Sequence, residues 1–323
     1  AVSGGVRKTV VVGAVALALC ALMAAYQVIG TWEMWALDSA TVAGVTVAAV
    51  IASTVRQRRE RELAEVGAIA EVAQQVLLGP VPDELNSVRM AVRYMSATSR
   101  AQIGGDLYEV VPARDGCRII VGDVQGKGLI GVKAAAAVLG VFREVAHDAA
   151  DLHMIAERIE VSLGRQLTAE QFVTALLAEV SCDGSRVQLL SCGHPPPLLV
   201  SGGAGRFVEP DVPSLPLGLS HLAAFPREVT TVPFCPGDQL LLYTDGVSEA
   251  RDKAGDFFSL TDCKAFSNGT DPENVLDHLQ RDVLRHVGHA LDDDAAMLLI
   301  RREPALVPPG AAKHRTPTLS APA

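Results

Sequence analysis

The chain has 323 residues, 49% of them hydrophobic and 20% charged, which excludes a disordered or polar low-complexity protein and allows about one to three domains. Formal net charge is −9; residues 1–55 sum to zero and residues 56–62 and 302–323 carry +2 each, which leaves −13 on residues 63–301. A domain that acidic repels a phosphate backbone, so no nucleic-acid partner is expected. The six cysteines are scattered without a C-x-x-C pair, which disfavours a zinc ribbon or redox motif and predicts free thiols in a reducing compartment.

Residues 9–32 and 39–55 carry no charge. Thr9 to Ile29 is long enough to cross about 30 Å of hydrocarbon at ~1.5 Å per residue. The second run is shorter and spans if Trp35 to Leu37 extend it, with Trp32 and Trp35 between the runs where aromatic belts occur. Arg7 and Lys8 precede the first run, and Arg56, Arg58, Arg59 and Arg61 follow the second. Positive residues at both outer ends predict a two-helix transmembrane hairpin over residues 1–55, with spans at about 9–29 and 36–55. Both ends are then cytoplasmic, which makes this a multi-pass protein of the cell membrane with its soluble domain inside. A cleaved signal peptide begins in a similar way, but the second run and its arginine cluster argue for the hairpin.

Residues 56–86 read as a cytoplasmic linker. Leu63, Val66, Ala70, Ala73 and Leu77 follow a 3-4-3-4 spacing. A weak dimeric coiled coil, hence a homodimer, and an ordinary amphipathic helix fit this spacing equally. Gly79-Pro80-Val81-Pro82 ends the helix. Because the linker joins the hairpin directly to residues 87–302, its rotation or pairing is expected to bear on the order of any site there.

Over residues 87–302, short β-branched or aliphatic runs predict strands at Arg89–Met95, Leu107–Val111, Cys117–Val121, Val173–Val180, Val187–Ser191, Glu228–Val232, Gln239–Tyr243 and Ala296–Ile300. Helical patterns cover Gly131–Ala150, Leu152–Leu167 and about Pro272–His289. Grouped strands with grouped helices predict an α+β fold rather than a parallel doubly wound sheet. The Pro/Ala/Thr-rich tail, residues 303–323, reads as disordered.

Four Asp-containing turns border these strands: Gly104-Gly105-Asp106, Gly122-Asp123-Val124, Thr244-Asp245-Gly246 and Asp292-Asp293-Asp294. Singly, each is ordinary turn or cap chemistry. Together they offer the carboxylate and carbonyl oxygens that hard divalent cations require, with glycines that permit close backbone approach.

The motifs Gly104-Gly105-Asp106-Leu107-Tyr108-Glu109, Val121-Gly122-Asp123-Val124-Gln125-Gly126-Lys127-Gly128, Phe172-Val173-Thr174-Ala175, Cys192-Gly193-His194-Pro195-Pro196, Leu217-Gly218, Tyr243-Thr244-Asp245-Gly246-Val247-Ser248-Glu249-Ala250 and Asp293-Asp294-Ala295-Ala296 occur in this order. As a set, over about residues 80–302, they resemble the SpoIIE-type branch of the metal-dependent (PPM) serine/threonine phosphatases. The resemblance implies a four-layer α/β-β/α sandwich, two central antiparallel sheets flanked by helices, with two Mn²⁺ or Mg²⁺ ions at one end. It implies that Asp123 bridges the ions and activates water, that the Val124 carbonyl ligates one ion, that Asp245 and Asp293 ligate the other, and that Asp106 binds directly or through water. No phospho-enzyme intermediate is then expected, and the substrate is phosphoserine or phosphothreonine, typically on an anti-sigma-factor antagonist. Glu109 stands where the family pattern usually has Asp, and Lys127 where many relatives have His. The Asp292–Asp294 triplet leaves the ligand at Asp293 or Asp294, with the spacing to Ala295-Ala296 favouring Asp293.

Other signals are weaker. Gly122–Gly128 lacks the spacing of a nucleotide-binding P-loop. His286 and His289 read as exposed side chains, and His194 as structural, with substrate contact the alternative. Arg93 and Arg100 are candidates to hold the substrate phosphate only through their nearness to the first motif. The alternative function is a membrane-anchored phosphoprotein-binding or sensor module without turnover.

Overall fold

The computed structural model describes residues 6–25, 32–96, 105–126, 128–166, 171–222, 226–268, 271–289 and 291–303. Arg100, Gly104, Lys127 and residues 304–323 lie outside the described residues. Two helices open the chain, α1 (Val6–Ala25) and α2 (Trp32–Leu77). Next come β1 (Glu84–Leu85), β2 (Val88–Met95), β3 (Leu107–Ala113), β4 (Gly116–Val124), α3 (Leu129–Val145), α4 (Leu152–Gln166), β5 (Val173–Ser181) and β6 (Arg186–Cys192). The remaining elements are β7 (Leu198–Ser201), β8 (Ala204–Phe207), β9 (Val229–Pro233), β10 (Gln239–Tyr243), α5 (Asp245–Ser248), α6 (Ala265–Asn268), α7 (Pro272–Val287) and β11 (Ala295–Arg302).

The chain forms two units, residues 1–69 and 70–323. In the first, apolar side chains of α1 and α2, among them Val11, Val15, Leu19, Val45, Val47 and Ile51, are exposed. Among the described residues one segment, Ala40–Arg59, is long and apolar enough to cross a membrane. It lies within α2, which runs unbroken for 46 residues, roughly 69 Å at ~1.5 Å per residue. The second apolar run and the linker are therefore one helix. Arg and Glu between them are good helix formers, and α2 contains no proline. The helix stops at Leu77, just ahead of Gly79-Pro80, where proline disfavours helical geometry in its predecessor. The side chains of Leu63, Val66 and Ala70 lie outside the described ones.

The second unit contains two sheets, antiparallel throughout, in the orders β1-β2-β11-β10-β7-β8 and β3-β4-β5-β6-β9. Each sheet is covered on both faces. Leu240, Leu242, Leu298 and Ile300 of the first meet Ile119, Val121, Leu176 and Leu189 of the second in the central core. The outer face of the first sheet packs on α7 through Val275, Leu276, Leu279 and Val283. That of the second packs on α3 and α4 through Val138, Phe142, Ile155 and Ile159. This is the four-layer sandwich. It also explains the continuous apolar run of β11: Ala296, Leu298 and Ile300 face the other sheet while Ala295, Met297 and Leu299 face α7.

All eight expected strands form, displaced at their ends by three residues or fewer. The hairpin β7–β8 was not expected, because the proline run Pro195–Pro197 conceals its start. Helix α7 ends at Val287, earlier than the helical pattern to His289, because Gly288 takes the left-handed conformation and its N–H donates to the Leu284 carbonyl. His286 and His289 therefore do not share a helix. Cys117, Cys182, Cys192, Cys235 and Cys263 carry free thiols.

The last turns of α2 belong to this second unit. Leu77 and Leu78 pack against the α3–α4 layer, Val81 and Leu85 reach the central core, and Arg143 donates to the Leu77 carbonyl at 2.6 Å. A fragment of residues 70–303 is expected to be more stable than one of residues 87–303 by about 3 kcal/mol from this apolar burial. That is a difference of about 5–10 °C in Tm, readable by differential scanning calorimetry.

Candidate metal centre

Five carboxylates meet at one end of the sandwich, supplied by four strand ends. Asp106 immediately precedes β3, and Asp123 lies near the end of β4. The pairing of Leu107 with Gly122 makes these two neighbours within one sheet. Asp245 follows β10 while Asp293 and Asp294 precede β11; the Thr244 N–H donates to the Ala296 carbonyl at 3.0 Å and extends that pairing to the site. Stacking of the sheets brings the two groups together. Burial first, then the charge of Asp123, raises the Asp106 carboxyl well above the usual range, with Asp294 and Asp245 adding to it. Burial also raises that of Asp123, followed by the charges of Asp245 and Asp293.

Exposure grades across the cluster. Asp106 and Asp294 are each 2% exposed, Asp123 and Asp245 are half-buried, and Asp293 is exposed. Asp293 acts on Asp123 while Asp294 acts on Asp106 and accepts a hydrogen bond from the Tyr94 hydroxyl. The two candidates left open by the triplet therefore differ in burial, Asp294 held inside by Tyr94 and Asp293 exposed.

Neighbouring side chains hold the buried carboxylates. Thr244 occupies the N-cap position of α5, where a threonine hydroxyl ordinarily caps its own helix. Instead it donates to Asp106 Oδ2 at 2.7 Å and accepts from the Ala296 N–H at 2.8 Å, so one hydroxyl ties both sheets to the site. Gln74, on the last turns of α2 and only 6% exposed, donates to the Tyr94 hydroxyl at 2.8 Å and to the Asp106 carbonyl at 3.2 Å. Neither Gln74 nor Tyr94 stands out in the sequence; the only available signal was a polar residue on an otherwise apolar helix face.

Two glycines make the approach possible. A Cβ on Gly105 would lie 2.4 Å from the Val124 carbonyl oxygen, and one on Gly246 would lie 1.9 Å from that of Asp294. Each is too close for any side chain, so the backbone around the candidate ligand Val124 stays open only with glycine there. Among the described residues no three acidic, histidine or cysteine side chains already converge on a single point. The donor set is all oxygen, crowded and backed by a carbonyl, and it fits hard divalent cations.

Other residues singled out from the sequence lie elsewhere or face inward. Glu109 is buried against α3 and accepts from Arg143 Nε at 2.6 Å. Arg93 is engaged by α7, donating to Glu273 and, at 2.7 Å, to Asp277. His286 faces the Asp256 carbonyl at 3.0 Å and the edge of Phe258. His194 is buried with both ring nitrogens occupied by protein atoms, Thr174 Oγ1 and the Tyr243 carbonyl.

The sequence model of the family described as Stage II sporulation protein E (SpoIIE) matches residues 113–303. Phosphoserine phosphatase RsbU of Bacillus subtilis (strain 168) is 23% identical over 242 residues, which cover 73% of this chain and 69% of RsbU. Among solved structures, the RsbU and RsbW domains of a Mycobacterium tuberculosis protein align with a TM-score of 0.58 at 24% identity, over 68% of this chain and 61% of that one. The catalytic domain of the serine/threonine protein phosphatase PstP, in complex with 2 manganese ions, aligns with a TM-score of 0.50 at 16% identity, over 66% of this chain and 97% of that one. At such identities the two structures attest the fold.

Because burial and like charge raise the Asp123 carboxyl, the native state holds that proton more tightly than the unfolded chain does. The contribution is therefore favourable below the ordinary carboxylate range of about 4 and is lost as pH rises through the raised value. Asp123→Asn is expected to raise the Tm of the metal-free protein at neutral pH and to shrink the further rise that Mn²⁺ gives the wild type. Thermal melts with EDTA and with Mn²⁺ test both.

Proposed function

The chain belongs to the SpoIIE family of PPM-type serine/threonine phosphatases, and from that premise we propose that it hydrolyses phosphoserine or phosphothreonine on a protein with two Mn²⁺ or Mg²⁺ ions. The carrying observation is that Asp106, Asp123, Asp245 and Asp293 stand at strand ends of both sheets at one end of the sandwich, where Thr244 joins the two. Asp123, which feels carboxylates from both sheets, would hold the ions together with Asp106, Asp245, Asp293 and the Val124 carbonyl. Such ions, when bound, polarise phosphoryl oxygens and bring the pKa of a shared water towards ~7.

The protein's own part is placement. Thr244 and Gln74 hold Asp106 by its carboxylate and its carbonyl, and Tyr94 holds Asp294. That leaves Asp293 on the solvent side, where a phosphorylated side chain enters.

The substrate we assign is a phosphorylated anti-sigma-factor antagonist, with the name of the RsbU relative favouring phosphoserine. The same reading makes the protein a two-pass membrane protein with a cytoplasmic catalytic domain. In support are the uncharged runs 9–32 and 39–55, basic residues at both outer ends, and the candidate span Ala40–Arg59. Linker pairing would make it a homodimer.

Phosphate release from a phosphoserine protein by the full chain in detergent is expected to require Mn²⁺ or Mg²⁺ and to stop with EDTA. Asp123→Asn is expected to lower kcat/KM by about 100-fold or more, ~2.7 kcal/mol in the barrier. Tight Mn²⁺ binding without turnover on any phosphoprotein would instead identify a binding module.

A further inference from the structure

His194 follows β6 and sits between the two sheets at the end where the carboxylates gather, only 7% exposed. Its Nε2 is 3.0 Å from the carbonyl of Tyr243, the last residue of β10 and two residues before Asp245. Its Nδ1 is 3.1 Å from Thr174 Oγ1 on β5. Thr174 is the register partner of Asp123 in the β4–β5 pairing, and its hydroxyl lies 3.4 Å from the Asp123 carbonyl oxygen. One ring thus reaches from the strand that delivers Asp245 to the strand paired with the one that delivers Asp123.

The chemistry of the contacts assigns the tautomer. A carbonyl only accepts, so Nε2 carries the proton and donates to Tyr243, which leaves Nδ1 to accept the single proton of the Thr174 hydroxyl; Thr174 is then joined to Asp123 by the β4–β5 backbone pairing rather than by that hydroxyl. Burial keeps the imidazole neutral, with its pKa pushed down to about 4, as this arrangement requires. The core between the sheets is packed through apolar residues such as Leu176, Leu189, Leu240 and Leu298, and at this end the Thr244 hydroxyl is a second polar tie beside His194. Apolar packing is non-directional and tolerates sliding, whereas two hydrogen bonds from a rigid ring fix a distance and an angle. His194 is also fastened on its own side, by long contacts of 3.4 Å between its backbone and Ser191 Oγ.

We propose that His194 is a positioning residue for the metal centre: through Thr174 and the Tyr243 carbonyl it sets the separation of Asp123 from Asp245, and with it the affinity for the divalent cations. The inference rests on the metal-site reading above. His194 itself touches neither cation nor substrate. The Cys192-Gly193-His194 motif is thereby given a role in ordering ligands rather than in substrate contact.

The test is Mn²⁺ titration calorimetry on the full chain in detergent, stripped with EDTA, alongside urea unfolding of the same samples. His194→Phe keeps the ring volume and removes both hydrogen bonds; it is expected to weaken Mn²⁺ binding about 10–100-fold, the usual effect of losing a group that orients a ligand. His194→Gln keeps a donor for Tyr243 and is expected to recover part of that loss. Thr174→Val removes the other arm at nearly constant shape and is expected to weaken Mn²⁺ binding several-fold. Adding it to His194→Phe is expected to produce little further loss, because the two residues act in one chain of contacts. Variants that lose stability yet bind Mn²⁺ as the wild type does would reduce His194 to a fastener between sheets and overturn the inference. If His194→Phe does not fold, unchanged Mn²⁺ binding by Thr174→Val overturns it equally. A wild-type chain that binds no Mn²⁺ would overturn the metal-site reading and this inference with it.

Discussion

Mutual repulsion among the carboxylates at the end of the sandwich is the constraint to which the rest of the structure answers. Asp106, Asp123, Asp245, Asp293 and Asp294 crowd within electrostatic reach of one another, and two of them are almost fully buried. Like charges at such density separate unless the backbone holds them or a cation joins them. The protein answers with rigidity. Each of these carboxylates stands at the end of a strand with neighbours on both faces of its sheet, so its backbone cannot drift without disturbing a packed core.

That rigidity is assembled from groups diverted from their local roles. Thr244 occupies an N-cap position yet gives its proton to Asp106. Gln74 sits on a helix that begins in an apolar run, yet its amide is buried against Tyr94 and the Asp106 carbonyl. Gly105 and Gly246 give up conformational stability so that two segments of backbone can nearly touch. Functional sites are where such departures from local preference are expected, because the stability they cost is supplied by the packed layers behind them.

The last turns of α2 join this arrangement. A single helix carries the candidate membrane segment Ala40–Arg59 and continues to Leu77. Within the second unit its final residues contact α3 and the backbone of Asp106. Among the described residues, the Gln74 amide carries this helix end to the site.

Much of this could be read along the chain. Strands such as Gln239–Tyr243 and Ala295–Arg302 declare themselves as apolar runs bounded by Asp and Gly, since residues buried on both faces leave no polar alternation. The carboxylates proposed to hold cations were visible as four aspartate turns, because a hard cation demands oxygen ligands wherever the chain puts them. The order of the motifs identified the family for the same reason. Three things were settled only in three dimensions. One is that within the triplet Asp294 turns inward and Asp293 outward, a matter of backbone direction at the start of β11. Another is the alignment of Arg93 with α7 rather than the site, which depends on the face β2 turns outward. The last is the company of His194, whose partners lie 20 and 49 residues away. Local preference reports which residues can turn, pair or cap; which of them meet is decided by how two sheets stack, and no short stretch of sequence encodes that.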